Sequence, residues 1–418
     1  MGPGDATPRR ADVARLFATR AVRLFAYGAL SVVLVLHLAA TGLDQGRIGL
    51  LLTLTLLGDT AISLLLTTRA DLAGRRRTLL IGAALMVGAS LLFAVTQDFW
   101  LLLVAATLGI ISPSGNEVGP FLAIEQAALA QALPAERRTG TFAWYTLTGA
   151  FATALCALVG GATAEGLQRA GLAPLQAYRA VIVLYGVIGL ALMAVFAGLS
   201  PQVEAPAARP SGRPPLLTPG LGLHASRGVV LRLSGLFALD AFAGGFIVQS
   251  FVAFWLHRRF GAGEGLIGAI FLVANVLAGL SALSAGRLAR RFGLVNTMVF
   301  THLPSNVLLL AVPFMPTLPL AAGVLFARFS ISQMDVPTRQ SYTMAVVVPE
   351  ERAAAAGVTG IARTVGSSLS PLLAAPLYAV PALAGIPFLI CGALKIGYDL
   401  ALWRAFSAVK PPEERTAA

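Results

Sequence analysis

Charge is scarce in this sequence. Only 12% of its 418 residues are charged, about half the share usual in soluble domains. Lysine is nearly absent, with Lys395 and Lys410 the only two. With 57% hydrophobic residues beside that scarcity, an ordinary soluble globular domain is excluded. The two cysteines, Cys156 and Cys391, fall in expected spans without metal-ligand spacing, so buried free thiols are expected there. No Walker-type glycine loop, paired-cysteine zinc spacing or nucleophile elbow is placed on a suitable element. A soluble enzyme and an ATP-driven pump are therefore not expected, and no metal or other cofactor is called for. The polar N-terminus up to Thr19 lacks a cleavable signal pattern, so the first apolar segment should stay as a span. The net charge of +12 would point to nucleic acid in a soluble protein. Here loops facing anionic lipid explain it, and no nucleic-acid partner is expected.

What is present is a series of apolar runs of about 20 residues, each long enough to cross a bilayer. The expected spans are 20–42, 48–70, 78–96, 99–132, 141–164, 178–199, 229–256, 266–289, 294–314, 318–347, 353–380 and 386–406. The fold class is thus all-α and polytopic, with twelve transmembrane helices in two six-helix bundles. The expected organisation is a tail at 1–19, a first bundle at 20–199, a proline-rich linker at 200–228, a second bundle at 229–406 and a tail at 407–418. Arginines concentrate in alternate loops: Arg75 to Arg77, Arg137, Arg138, Arg209, Arg213, Arg290, Arg291 and Arg352. The excess of positive charge marks that side, and both termini, as cytoplasmic.

The two bundles echo each other. Asp71-Leu-Ala-Gly74-Arg75-Arg76-Arg77 lies between the second and third spans, and Gly286-Arg-Leu-Ala-Arg290-Arg291-Phe-Gly293 between the eighth and ninth. Gly293 follows Gly74 by 219 residues. Pro134-Ala-Glu136-Arg137 after the fourth span returns as Pro349-Glu-Glu351-Arg352 after the tenth, 215 residues on. Two matches at nearly one offset indicate parallel repeats of a membrane transporter.

The first loop resembles the signature Gly-x-Leu-Ala-Asp-Arg-x-Gly-Arg-Arg of the major facilitator superfamily, departing from it at Thr67, Arg69 and Leu72. The second copy has Arg290 in place of the acid. The resemblance implies that Asp71, Gly74, Arg75 and Arg76 form a cytoplasmic gate, and that the second copy cannot serve in the same way. It further implies that helices one, four, seven and ten line a central cavity. A bacterial cytoplasmic-membrane location follows from the same likeness, which extends to drug and metabolite–proton antiporters. Gly149, Gly160 and Gly161 loosely resemble the glycine-rich fifth-helix motif of those antiporters but lack its proline; close helix packing explains them equally.

A charge inside a bilayer costs about 2.5–3.5 kcal/mol even on the lenient insertion scale, so intramembrane charges mark function or pairing. Glu117, Glu125, Asp240, Asp335 and Asp59 are the candidate proton- or substrate-coupling acids. Glu117 and Glu125 are eight apart, which two helical turns would bring to one face. Asn116, Arg328, Arg339, Arg363 and Gln249 are the candidate cavity residues. Asp335 can pair with Arg339, and Lys395 with Asp399, each four residues apart. Pro113, Pro120 and Pro337 interrupt the fourth and tenth spans, where transporter sites tend to form.

Three functions compete. The leading expectation is a monomeric, proton-coupled exporter of a small amphipathic or cationic compound. Its acids would be raised toward neutral pKa by burial and exposed alternately to each side. A transporter of a small anion would instead use Arg328, Arg339 or Arg363 as the binding group. A receptor or scaffold that kept the fold and lost transport is the third.

Overall fold

The computed structural model describes residues 6–114, 119–132, 135–204, 223–348 and 351–409. Fifteen α-helices and no strand occur among them. They are α1 Ala6–Ala40, α2 Gln45–Ala73, α3 Arg75–Val95, α4 Phe99–Leu108, α5 Phe121–Ala132, α6 Ala135–Arg169, α7 Pro174–Ala197, α8 Arg227–Gly245, α9 Gln249–Phe260, α10 Glu264–Phe292, α11 Leu294–Ala311, α12 Leu318–Ser332, α13 Asp335–Ala345, α14 Arg352–Ala379 and α15 Ile386–Phe406. The pairs α4–α5, α8–α9 and α12–α13 each make one broken crossing. The result is the expected all-α membrane fold of twelve transmembrane helices.

The breaks follow from the sequence. Pro337 sits in the first turn of α13. Its ring excludes the helical carbonyl four residues earlier, at Gln333, which is where α12 ends. In the fourth crossing α4 ends at Leu108 and α5 begins at Phe121. Gly119 there takes φ of +80°, a conformation that favours glycine. Residues 119 and 120 are not helical. No single helix therefore runs through 119 and 120 to Glu125; Glu117, the other member of the expected face, lies outside the described residues.

The first helix begins at Ala6, well before the expected start at residue 20. Its polar first half is fastened rather than free. Asp12 accepts hydrogen bonds from the backbone N–H and the hydroxyl of Ser200, and Arg15 Nη1 donates to the Gly198 carbonyl at 2.6 Å. Asp44 and Asp98 cap α2 and α4 by accepting from Arg47 N–H and Leu101 N–H, each at 3.0 Å.

The repeat appears in backbone detail. Gly74 and Gly293 have φ of +97° and +84°, and each immediately precedes a helix. One turn on, Thr78 and Thr297 each donate a hydroxyl to the carbonyl of their glycine, at 2.9 and 2.8 Å. The pairs Gly74/Gly293 and Thr78/Thr297 share the offset of 219.

The chain clusters into two compact units. One takes α1 to α7 together with Val252–Leu272; the other takes α8 up to Phe251 and the chain from Val273 onward. The placement of Val252–Leu272 differs from the expected division at 200–228. In the first unit the Tyr178 hydroxyl donates to Glu264 at 2.6 Å, and Gly265 N–H donates to Glu165 at 2.8 Å. A Cβ on Gly160 would lie 2.5 Å from Ala29 Cα, and one on Gly161 would strike the Glu264 carbonyl. These two glycines therefore serve close packing in this structure. In the second unit α8 packs on α14 across Gly366, where a Cβ would overlap the Ala238 carbonyl. Gly366→Val should lower stability by about 1–3 kcal/mol, seen as a lower unfolding midpoint of the purified protein in detergent; an unchanged midpoint would contradict this close approach.

Candidate functional site

Each unit contains a buried charge cluster. In the first, Glu125 on α5 is fully buried. Arg23 on α1 grips it with two parallel bonds, Nη1 to Oε1 and Nη2 to Oε2, both at 2.7 Å. The Thr19 hydroxyl donates to Oε1 at 2.8 Å, and the Tyr145 hydroxyl of α6 donates to Oε2. Arg23 lies over the Phe121 ring at 4.6 Å and Arg20 over Tyr145 at 4.5 Å. The fork geometry and the two hydroxyls satisfy both oxygens of the acid. Glu125 thus works here as half of an internal ion pair.

In the second unit, Asp240 on α8 is the centre. Lys395 Nζ on α15 donates to Oδ1 at 2.5 Å. Arg363 of α14 and Arg339 of α13 donate to Oδ2 at 3.1 and 3.3 Å. Arg339 also donates to Asp335 at 3.0 Å, forming the expected one-turn pair. The expected Lys395–Asp399 pair is not formed. Asp399 instead accepts from His302 Nδ1 at 2.8 Å and Asn306 Nδ2 at 2.9 Å, both on α11. Lys395 and Asp399 follow one face of α15, but each finds a stronger partner across a helix interface.

Arg328 on α12 differs from the other arginines of this cluster. It is 8% exposed, and its closest aromatic partner is Phe329, 5.0 Å from the ring centroid. Its Nε is buried without a hydrogen bond, and no ion pair to the guanidinium occurs among the described residues. Arg363 is the most open member, its side chain 34% exposed.

The two clusters occupy equivalent places in the repeat. Asp240 follows Arg23 by 217 residues, Arg339 follows Glu125 by 214, and Arg363 follows Tyr145 by 218. The base on the first crossing and the acid on the fourth become an acid on the seventh and a base on the tenth. The signs are exchanged while the positions are kept.

Other sequence-predicted residues have separate surroundings. Asp59 on α2 accepts the Gly119 N–H at 2.7 Å and the Ser63 hydroxyl at 3.5 Å, so it pins the break in the fourth crossing. Gln249 is half-buried at the start of α9. Asn116 and Glu117 lie outside the described residues, as does the side chain of Asp71.

At Gly74 the loop is held from beyond α7. Glu204 accepts the N–H groups of Arg75 and Arg76 at 2.6 and 3.1 Å, where the first turn of α3 leaves donors free. The Arg75 guanidinium donates to the Val203 carbonyl at 3.2 Å. Sequence reasoning missed Glu204, because it sits at the edge of the proline-rich linker. Glu351 performs a similar task before α8, accepting N–H groups from His224, Ala225 and Ser226 at 2.8, 2.9 and 2.9 Å. Desolvation disfavours its charge, but the Ser226, His224 and Ala225 N–H donors outweigh this and hold its carboxyl below the usual value of 4.5.

A duplicated helical membrane fold with buried charge clusters at matching positions defines a membrane transporter and not an enzyme. The chain belongs to the Major Facilitator Superfamily, whose family model matches residues 16–371. It is 31% identical over 425 residues to the uncharacterized membrane protein YJR124C of Saccharomyces cerevisiae, covering 95% of this chain and 94% of that protein. Among solved structures it resembles the nucleoside transporter NupG, with TM-score 0.72 and 13% identity over 94% of this chain and 98% of that one. It also resembles a D-xylose–proton symporter, with TM-score 0.69 and 16% identity over 94% and 97% of the two chains. At such identities the likeness establishes the fold alone.

Two outcomes test these contacts. Arg23→Ala strands a buried carboxylate and should destabilise the protein by about 3–5 kcal/mol. Glu125→Gln in the same background should recover part of that loss in thermal unfolding. For Glu351, a lowered folded-state pKa gives stability that is full above the usual value and is lost as pH falls through the lowered one. Wild type should therefore lose stability below pH 4.5 more steeply than Glu351→Gln, which is already weaker at neutral pH; parallel curves would remove Glu351 from the acid response.

Proposed function

We propose that this superfamily member is a proton-coupled secondary transporter whose cargo is a small acid or its anion. The observation that carries the reading is Arg328: a guanidinium buried at 8% exposure, without an ion pair among the described residues. Burying such a charge is costly unless something completes it, and a carboxylate of the cargo matches its fork. The surroundings support the same sign. Near Asp240, Asp335 and Asp399 lie four basic side chains: Arg328, Arg339, Arg363 and Lys395. Export of a cationic compound is supported less well, because Glu125, Asp240 and Asp335 already hold their own cations. On this reading the protein is a monomer with both termini in the cytoplasm, the side on which the arginine-rich loops lie.

The test is uptake into proteoliposomes under an imposed pH gradient. Radiolabelled lactate, succinate and benzoate are compared with tetraphenylphosphonium and ethidium. At least one carboxylate should accumulate against its gradient, and Arg328→Gln should slow it by about tenfold or more, the scale of a lost charged hydrogen bond. Accumulation of the cations alone would replace this reading with the exporter one, and no flux of any probe would favour a receptor or scaffold.

A further inference from the structure

The His302–Asp399 pair is a second titratable centre that the charge cluster around Asp240 does not need for its own neutralisation. His302 is 4% exposed and Asp399 1%. Both oxygens of Asp399 are engaged, by His302 Nδ1 and Asn306 Nδ2. With Asp399 ionised and therefore only accepting, Nδ1 carries the hydrogen, and the 3.2 Å approach of Asn306 Nδ2 to Nδ1 is then not a hydrogen bond. His302 Nε2 then keeps its lone pair, and no hydrogen bond to it is formed among the described residues. An imidazole is the side chain whose charge changes most readily near neutral pH.

The position of the pair ties it to the cluster. Asp399 lies one turn along α15 from Lys395, whose ammonium holds Asp240. Asp240 is itself within electrostatic reach of His302. The helices packed on α11 carry the other ionisable groups of this region. From α15 these are Asp399, Lys395 and the Tyr398 ring, whose centroid is 6.1 Å away. α12, also packed on α11, carries the buried Arg328, and α13 the buried Asp335 and Arg339. Its own helix contributes Asn306.

We propose that His302 and Asp399 form the proton-binding site of the transport cycle. This rests on the coupled-transport reading above and names its proton carrier. A hydronium ion gives up its proton, its O–H bond breaking to leave water as an Nε2–H bond forms on His302, and Asp399 balances the imidazolium. The added positive charge also acts on Asp240, which then needs Arg363 less. Arg363 is the open member of that cluster and is released toward an acidic cargo. Proton and anion thus bind together, and each raises the affinity for the other.

The chain has four histidines, so 15N ring signals of the full-length protein in nanodiscs can be assigned by comparison with His302→Gln. In wild type the His302 ring signals should change with pH as the proton binds. In Asp399→Asn its midpoint should fall by about one unit or more, since removing a neighbouring negative charge disfavours the imidazolium. A ring that keeps one state at every pH at which the protein stays folded, or a midpoint unmoved by Asp399→Asn, would overturn the assignment. In proteoliposomes, His302→Gln should lose gradient-driven accumulation of the carboxylate that wild type concentrates, yet keep exchange at equal pH; wild-type accumulation would also overturn it. If wild type concentrates no carboxylate, the cargo reading fails, and the ring titration still decides the proton site.

Discussion

A guanidinium and a carboxylate in hydrocarbon surroundings must find each other, because water is absent and each unpaired charge costs several kcal/mol. That constraint organises both units of this protein. Arg23 of α1 and Glu125 of α5 come from crossings far apart in sequence, and their two-bond contact fixes how those helices approach. Thr19 and Tyr145 complete the acid from two sides, so the contact involves α1, α5 and α6 together. In the second unit Asp240 does the equivalent for α8, α13, α14 and α15. Leu233, Phe237, Val299, Tyr342, Tyr398 and Leu402 belong to one apolar cluster of this unit, and its Phe237 ring lies 5.4 Å from the Arg339 guanidinium.

The exchange of sign between the repeats has a physical logic. A base on one crossing and an acid on another make a pair whichever carries which, so a repeat can swap them without losing the contact. What changes is the stoichiometry. In the first, Arg23 holds Glu125 with two bonds and two hydroxyls complete its oxygens. The second draws in Arg363, Lys395, Asp335 and Arg339, so its parts are shared among several partners. A shared partner can be traded. That makes the second cluster the better place for a charge to come and go.

The helical fold was legible because apolar length and the arginine loops report directly on the bilayer. The repeat was legible too, in Gly74 and Gly293, since a left-handed turn before a helix selects glycine. The internal pairs were less so. Asp335–Arg339 was readable because both lie on one helix, one turn apart. Lys395 and Asp399 have the same spacing, yet their partners are Asp240 and His302, from helices about 155 and 97 residues away. Helical spacing says which charges can meet along one helix; it does not say what the facing helix offers. Glu125 shows the same limit, since its partner Arg23 stands in a span that reads as apolar. His302 is hidden in the sequence for the same reason.

The two units therefore divide the work that buried charge can do. In the first, every oxygen of Glu125 has a donor, and removing or adding a proton would break a complete set. In the second, among the described residues, Arg328 has no ion-pair partner, Arg363 is half-open and His302 keeps a free ring nitrogen. Incomplete satisfaction is expensive in a static protein and is retained where a ligand supplies the missing part. For a transporter that part is needed only during some of the cycle. A cluster that is complete in one state and incomplete in another shifts its balance when the missing charge arrives, and a proton on α11 with an anion near α12 and α14 would provide that shift from two directions.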